Sequence, residues 1–209
     1  MTRIKICGIT NLEDALLAAS LGADAVGFIF APSPRQINLA KARDIIKKIP
    51  PFISPVGVFV NEKLEKIRET ADECPLDYIQ LHGEEPPEFC RSLFPQKIIK
   101  TFRIKDEKSL ERVSSYFQVR AILLDTFVEG QAGGTGKTFN WRLAEETKKI
   151  GRPIILSGGL SPQNVRQAIE SAAPFAVDVS SGIESHPGKK DRVKLAAFIK
   201  AVREIPQNG

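Results

Sequence analysis

The chain has 209 residues, 42% of them hydrophobic, with 30 Lys and Arg against 25 Asp and Glu for a formal net charge of +5. That length buries one sizeable core and no uninterrupted apolar stretch reaches membrane-spanning length, so a membrane role is not expected. Basic residues are interleaved with acidic ones, as in NEKLEKIRETADE, which reads as a solvated helix face and not as the dense basic block that nucleic acid calls for.

The start of the chain has no apolar leader after a basic opening. Its three cysteines, Cys7, Cys74 and Cys90, are an odd number without metal-ligand spacing, against both a disulfide framework and a zinc site. A reducing, cytoplasmic setting is the expectation, and the mild positive excess suits a small anionic ligand.

Short apolar runs alternate with amphipathic segments of helical length along the whole chain. The predicted strands are RIKICG (3–8), AVGFIF (25–30), PVGVFV (55–60), YIQLHG (78–83), KIIKTFRI (97–104), AILLDT (121–126), PIILSG (153–158) and AVDVSSG (176–182). Helix starts are predicted at Asn11, Asn61, Asn140 and at Ser161 with Pro162 behind it. Eight such units without a linker or composition shift predict an α/β fold, a closed (β/α)₈ TIM barrel, as a single domain over 1–209. An open doubly wound sheet fits less well, because no G-x-G-x-x-G follows the first strand.

A barrel of this kind carries its chemistry where strands end and the following loops begin. Alternation along the strands turns Lys5 and Cys7 toward the barrel axis, with Gln80, His82, Asp125, Ser157, Asp178 and Ser180 facing inward at the same end. Each has a plain structural alternative. Cys7 can be a small buried filler, Asp125 a capping or paired carboxylate, and His82 a satisfied core histidine. Lys5 and Asp178 fall on strands that become neighbours on closure, and read as a structural ion pair.

Gly158 and Gly159 before a helix start, with Ser180, Ser181 and Gly182 after the last strand, are a candidate phosphate site, since glycines let backbone N–H groups approach an anion and the loops after strands 7 and 8 hold phosphate in this fold. After strand 2, Ser33 and Pro34 shape a turn that presents Arg35 over the barrel mouth, where a guanidinium can hold a carboxylate bidentately. A phosphorylated small molecule is therefore the expected partner.

The stretch VEGQAGGTGKTFNW (128–141) looks like a nucleotide-binding loop, but Gln131 stands where the first glycine of the P-loop pattern belongs and Gly130 is one residue too early. Between Thr126 and Asn140 it is longer than most loops of its type, and its glycines suit a lid over a bound intermediate.

With KICGIT, GFIFAPSPR, QLHG, LLDT, GGTGKTFNW, LSGGLSPQNV and VDVSSGIES in order at successive strand ends, the chain resembles the phosphoribosylanthranilate isomerases of tryptophan biosynthesis. The resemblance runs from residue 5 to about 191, ending in PGKKD, and implies a (β/α)₈ enzyme that uses no cofactor or metal. It further implies Cys7 of KICGIT as general base, Asp125 of LLDT as general acid, Arg35 of SPR on the anthranilate carboxylate, and the glycines and serines after strands 7 and 8 on the phosphate. The implied reaction is an Amadori rearrangement of N-(5-phosphoribosyl)anthranilate. Asn140 stands where many members carry Asp, and either residue caps a helix. The oligomeric state is not readable from the sequence. The chain reads as standing alone, not fused to another enzyme of the pathway.

Two rivals remain at this level. Another phosphosugar barrel would want a catalytic Lys and Glu set or metal ligands, and the two histidines, His82 and His186, are few for a metal site. A phosphosugar-binding protein without activity would have no need of both Cys7 and Asp125.

Overall fold

The computed structural model describes residues 1–104, 112–125 and 151–205. Eight parallel strands close a barrel in sequence order: β1 (Arg3–Cys7), β2 (Ala25–Ile29), β3 (Ser54–Phe59), β4 (Tyr78–Leu81), β5 (Ile98–Arg103), β6 (Ala121–Asp125), β7 (Ile154–Ser157) and β8 (Ala176–Val179). Closure comes from β1 pairing with β8, in a register that sets Lys5 opposite Asp178. All eight predicted strands are present, each ending a residue or more earlier than predicted, and β3 also begins one residue earlier, at Ser54.

Around them lie α1 (Leu12–Leu21), α2 (Leu39–Ile46), α3 (Leu64–Glu73), α4 (Pro87–Ser92), α5 (Val165–Ala172) and α6 (Arg192–Arg203), with a 3₁₀ turn at Arg112–Tyr116. The predicted helix start at Asn140 and the glycine-rich loop fall outside the described residues. No helix among the described residues is long and apolar enough to cross a membrane. Asn11 caps α1 as predicted, its side chain accepting from the Asp14 backbone N–H.

Two helix starts differ from expectation. Asn61 does not cap α3, whose N-cap is Lys63. It takes the left-handed conformation, φ 49°, which Asn tolerates better than most residues, and its side chain accepts from the Glu84 N–H across the barrel rim. Helix α5 begins at Val165, three residues beyond Pro162, although the Val165 N–H already bonds the Ser161 carbonyl.

Alternation along the strands divides the core in two. Ile4, Ile6, Val26, Phe28, Ile79, Leu81, Ile122, Leu124 and Leu156 face outward into the layer between barrel and helices. Val56, Ile99, Ala121, Leu123, Ile155 and Ala176 fill the barrel axis. Above that apolar plug the inward positions turn polar, as predicted.

A short hairpin follows β8. Strand β9 (Glu184–His186) pairs antiparallel with β10 (Lys189–Lys190), and the chain then enters α6 through the capping side chain of Asp191. The hairpin is tied to the first βα unit: the Thr10 hydroxyl donates to the Gly188 carbonyl at 2.5 Å, and the Lys190 N–H donates to Asp14 Oδ2 at 2.8 Å.

Candidate active site

The last inward residue of β1 is Cys7, which is 6% exposed and lies at the carboxyl end of the barrel. Its thiol sits over Gly27 on the neighbouring β2, where a Cβ would come within 2.9 Å of Cys7 Sγ and 3.0 Å of Lys5 Nζ. Glycine there makes room for both side chains. Lys5 is paired with Asp178 at 2.8 Å, and the Ser157 hydroxyl donates to the other Asp178 oxygen at 3.1 Å, so the predicted ion pair is present and buried.

Burial pushes the Cys7 thiol up from its ordinary value; Lys5 pulls it down, Asp178 pushes it up, and Lys190 pulls it down, and burial prevails. A thiol of this kind is ionised only in small fraction near neutrality.

At the end of β6, Asp125 Oδ2 lies 3.2 Å from His82 Nε2, and the Gln80 amide nitrogen lies 3.3 Å from His82 Nδ1. With the amide donating to Nδ1, the ring hydrogen sits on Nε2 and faces the Asp125 carboxylate. The chain Gln80, His82, Asp125 runs along the inward face of β4 and its end and across to β6.

Arg35 is aimed by the turn before it, where the Ser33 hydroxyl accepts from the Arg35 N–H at 3.1 Å. Its stem crosses directly above Gly8, at φ 75°, where a Cβ would stand 2.7 Å from Arg35 Cδ; both the backbone conformation and the space demand glycine. The guanidinium engages Glu184 through Nε at 2.9 and 3.0 Å and through Nη2 at 2.7 Å. That contact uses one edge of the fork and leaves Nη1 for another acceptor. Burial alone would raise the Glu184 carboxyl, but hydrogen bonds from Arg35 and Lys190 outweigh it and hold the group below the usual carboxylate range.

Glu184 and Lys190 are the site residues that strand-end reasoning missed. Lys190 Nζ donates to Glu184 Oε1 at 2.9 Å and to the Cys7 carbonyl at 2.6 Å. Both charges lie in the segment ESHPGKKD, and a Pro-Gly turn flanked by an acid and two lysines was the available signal of a charged hairpin.

On the β7–β8 side, Gly158 and Gly159 adopt φ of 88° and 63°, and Ser181–Ile183 forms a 3₁₀ turn directly after Ser180. The two loops touch: a Cβ on Gly182 would stand 2.0 Å from the Leu160 carbonyl oxygen. The Ser180 hydroxyl oxygen is buried and meets no hydrogen-bond partner among the described residues. The predicted site residues therefore converge on one barrel mouth, with Cys7, Arg35 and Ser180 in one group and His82 and Asp125 in a second.

A model of the N-(5'-phosphoribosyl)anthranilate isomerase family matches residues 4–201. The chain belongs to this family. An N-(5'-phosphoribosyl)anthranilate isomerase of Moorella thermoacetica is 49% identical over 208 residues, 100% of this chain and 92% of that protein. The crystal structure of the phosphoribosylanthranilate isomerase from Thermotoga maritima superposes with a TM-score of 0.92 at 50% identity, covering 98% of this chain and all of that one. A further phosphoribosylanthranilate isomerase structure was solved with reduced 1-(o-carboxyphenylamino)-1-deoxyribulose 5-phosphate; it has a TM-score of 0.89 at 47% identity and covers 98% of this chain and all of that one. The isomerase family's barrel is thus matched over nearly the full length of both chains.

Proposed function

We propose that this chain, as a single catalytic domain in the cytoplasm, isomerises N-(5-phosphoribosyl)anthranilate to 1-(2-carboxyphenylamino)-1-deoxyribulose 5-phosphate in tryptophan biosynthesis. The observation that carries the reading is the pair Cys7 and Asp125. One is a buried thiol on β1 and the other a carboxyl on β6, at inward strand ends of one barrel mouth, in a chain half identical to isomerases of this family.

The chemistry needs two groups of this kind. Asp125 as general acid protonates the furanose ring oxygen, and the ring opens to a protonated Schiff base whose C2 proton is acidic. Cys7 as general base removes that proton, and the resulting enolamine tautomerises to the ketone. Both transfers run through side chains, so the scheme calls on no cofactor or metal. A turnover leaves Asp125 one proton short and Cys7 one proton ahead, and proton exchange with water restores both.

Arg35, held by Glu184, presents its remaining N–H groups to the anthranilate carboxylate. The loops carrying Gly158, Gly159, Ser180, Ser181 and Gly182 receive the phosphate, a reading supported by their left-handed glycines, their close approach and a Ser180 hydroxyl that has no partner among the described residues. The lid proposed for the glycine-rich loop concerns residues outside those described.

The test is turnover of N-(5-phosphoribosyl)anthranilate followed by anthranilate-ring fluorescence. Cys7→Ala and Asp125→Asn are each expected to lower kcat by about 10² or more while KM changes far less. Near-normal kcat in Cys7→Ala sends the search for the base elsewhere on the rim, with His82 first.

A further inference from the structure

Lys190 has partners on three separate segments of the site. Its side chain has 0% exposure, and the ammonium donates to the Cys7 carbonyl at 2.6 Å, to Glu184 Oε1 at 2.9 Å and to the Ser180 carbonyl at 3.4 Å. Glu184 binds Arg35 in turn. A buried ammonium is costly, and its retention calls for a reason.

Anchoring the hairpin is not that reason, because the hairpin has other anchors. The Thr10 hydroxyl holds Gly188, Asp14 holds the Lys190 N–H, and the Lys189 ammonium pairs with Glu13 at 2.8 Å and Asp14 at 3.0 Å. None of these uses the Lys190 charge.

We infer that Lys190 is a positioning residue for the base: its ammonium fixes the main chain at the end of β1, provides positive charge for a Cys7 thiolate, and through Glu184 ties Arg35 into the same unit. The catalytic half of this inference rests on Cys7 being the base. The effect on the thiol does not.

The charges around Cys7 bear it out by count. Lys5 on β1 and Asp178 on β8 face the thiol and cancel. Arg35 from the loop after β2 and Lys190 on β10 share one carboxylate, Glu184 on β9. Strand β2 itself presents only Gly27. The cluster therefore carries one surplus positive charge, and a thiolate at Cys7 balances it. Burial pushes the thiol up, and Lys190 is one of two cations opposing that.

The experiment is alkylation of Cys7 by iodoacetamide at pH 8, read by peptide mass so that Cys74 and Cys90 are followed separately. Below the thiol's titration point the rate tracks the thiolate fraction. Loss of a nearby opposite charge moves such a group by about one pH unit or more, so Lys190→Met is expected to slow alkylation about tenfold. Lys190→Arg keeps the charge and is expected to stay within about twofold of the parent chain, as is Lys189→Met, which removes only the outer anchor.

If Lys190→Met does not fold, Lys190→Gln, which can still donate to the Cys7 carbonyl without a charge, is read in its place. A change below about twofold in the neutral variant, or an equal slowing in Lys190→Arg or Lys189→Met, overturns the inference. Turnover separates the two readings: Cys7→Ala with full turnover removes Cys7 as base, whereas alkylation indifferent to the Lys190 charge removes Lys190.

Discussion

His82 Nε2 stands 3.2 Å from Asp125 Oδ2, so the imidazole contacts the proposed acid directly. Such a hydrogen bond is worth about 0.5–1.5 kcal/mol net. His82→Phe keeps a ring in place without the bond, and is expected to lower kcat by up to about tenfold with KM within about threefold of the parent. A loss confined to KM in steady-state kinetics would instead make His82 a substrate contact.

Arg35 gives a second expectation, since its bidentate grip on Glu184 leaves the far N–H groups for a carboxylate. Lysine cannot do both at once. Arg35→Lys and Arg35→Met are both expected to lower kcat/KM, by roughly 10- to 100-fold, in the range of a lost charge-assisted bond. A substrate analogue without the ring carboxylate should show little difference between parent and Arg35→Met.

The phosphate side is tested by two glycines that differ in what constrains them. An alanine at Gly182 would place Cβ 2.0 Å from the Leu160 carbonyl oxygen, so the two loops must part. At Gly159 there is open space, and only φ 63° opposes a side chain. Gly159→Ala is expected to cost about 1–2 kcal/mol of stability, with modest kinetic effect, measured by urea midpoint. Gly182→Ala is expected to raise KM at least tenfold, and unaltered KM there would move the phosphate away from these loops.

Acid should loosen the hairpin clamp. The folded Glu184 carboxyl lies below its ordinary range, so it contributes stability that is present above the unfolded value of about 4.3 and is lost as pH falls through the lower folded value. Urea midpoints of the parent and Glu184→Gln should therefore differ most near neutrality and converge as pH drops below about 4.3. A gap that is constant with pH would assign the effect to packing.

The barrel was legible because its signal recurs along the chain: eight short apolar strands, with polar inward residues at the ends of β1, β4, β6, β7 and β8 and recognisable helix starts at Asn11 and Ser161. Cys7, His82, Asp125 and Ser180 could be placed by alternation alone, and the Lys5–Asp178 pair by closure of the barrel. Asn61 was misread because a residue that caps helices well also tolerates the left-handed region, and local sequence does not separate the two uses. Glu184 and Lys190 were hidden for a different reason. A charge in a Pro-Gly turn is ordinarily solvated, and these are buried only because the hairpin folds back onto β1, a contact between residues 183 positions apart.

That distance bears on how the protein is made. Until β8 arrives, β1 and β7 each present an unpaired strand edge, and such edges invite pairing between chains. Arg203, near the end of the last helix, closes the ring further by donating to the Thr2 and Gly22 carbonyls and to Asp24. A nascent chain that has left the ribosome up to β7 thus holds seven strands and the proposed acid, but neither the partner that seals the first strand nor the Lys190 ammonium that binds the Cys7 carbonyl. Such a chain exposes two open strand edges of the kind that aggregate, and it lacks the hairpin that folds back onto β1.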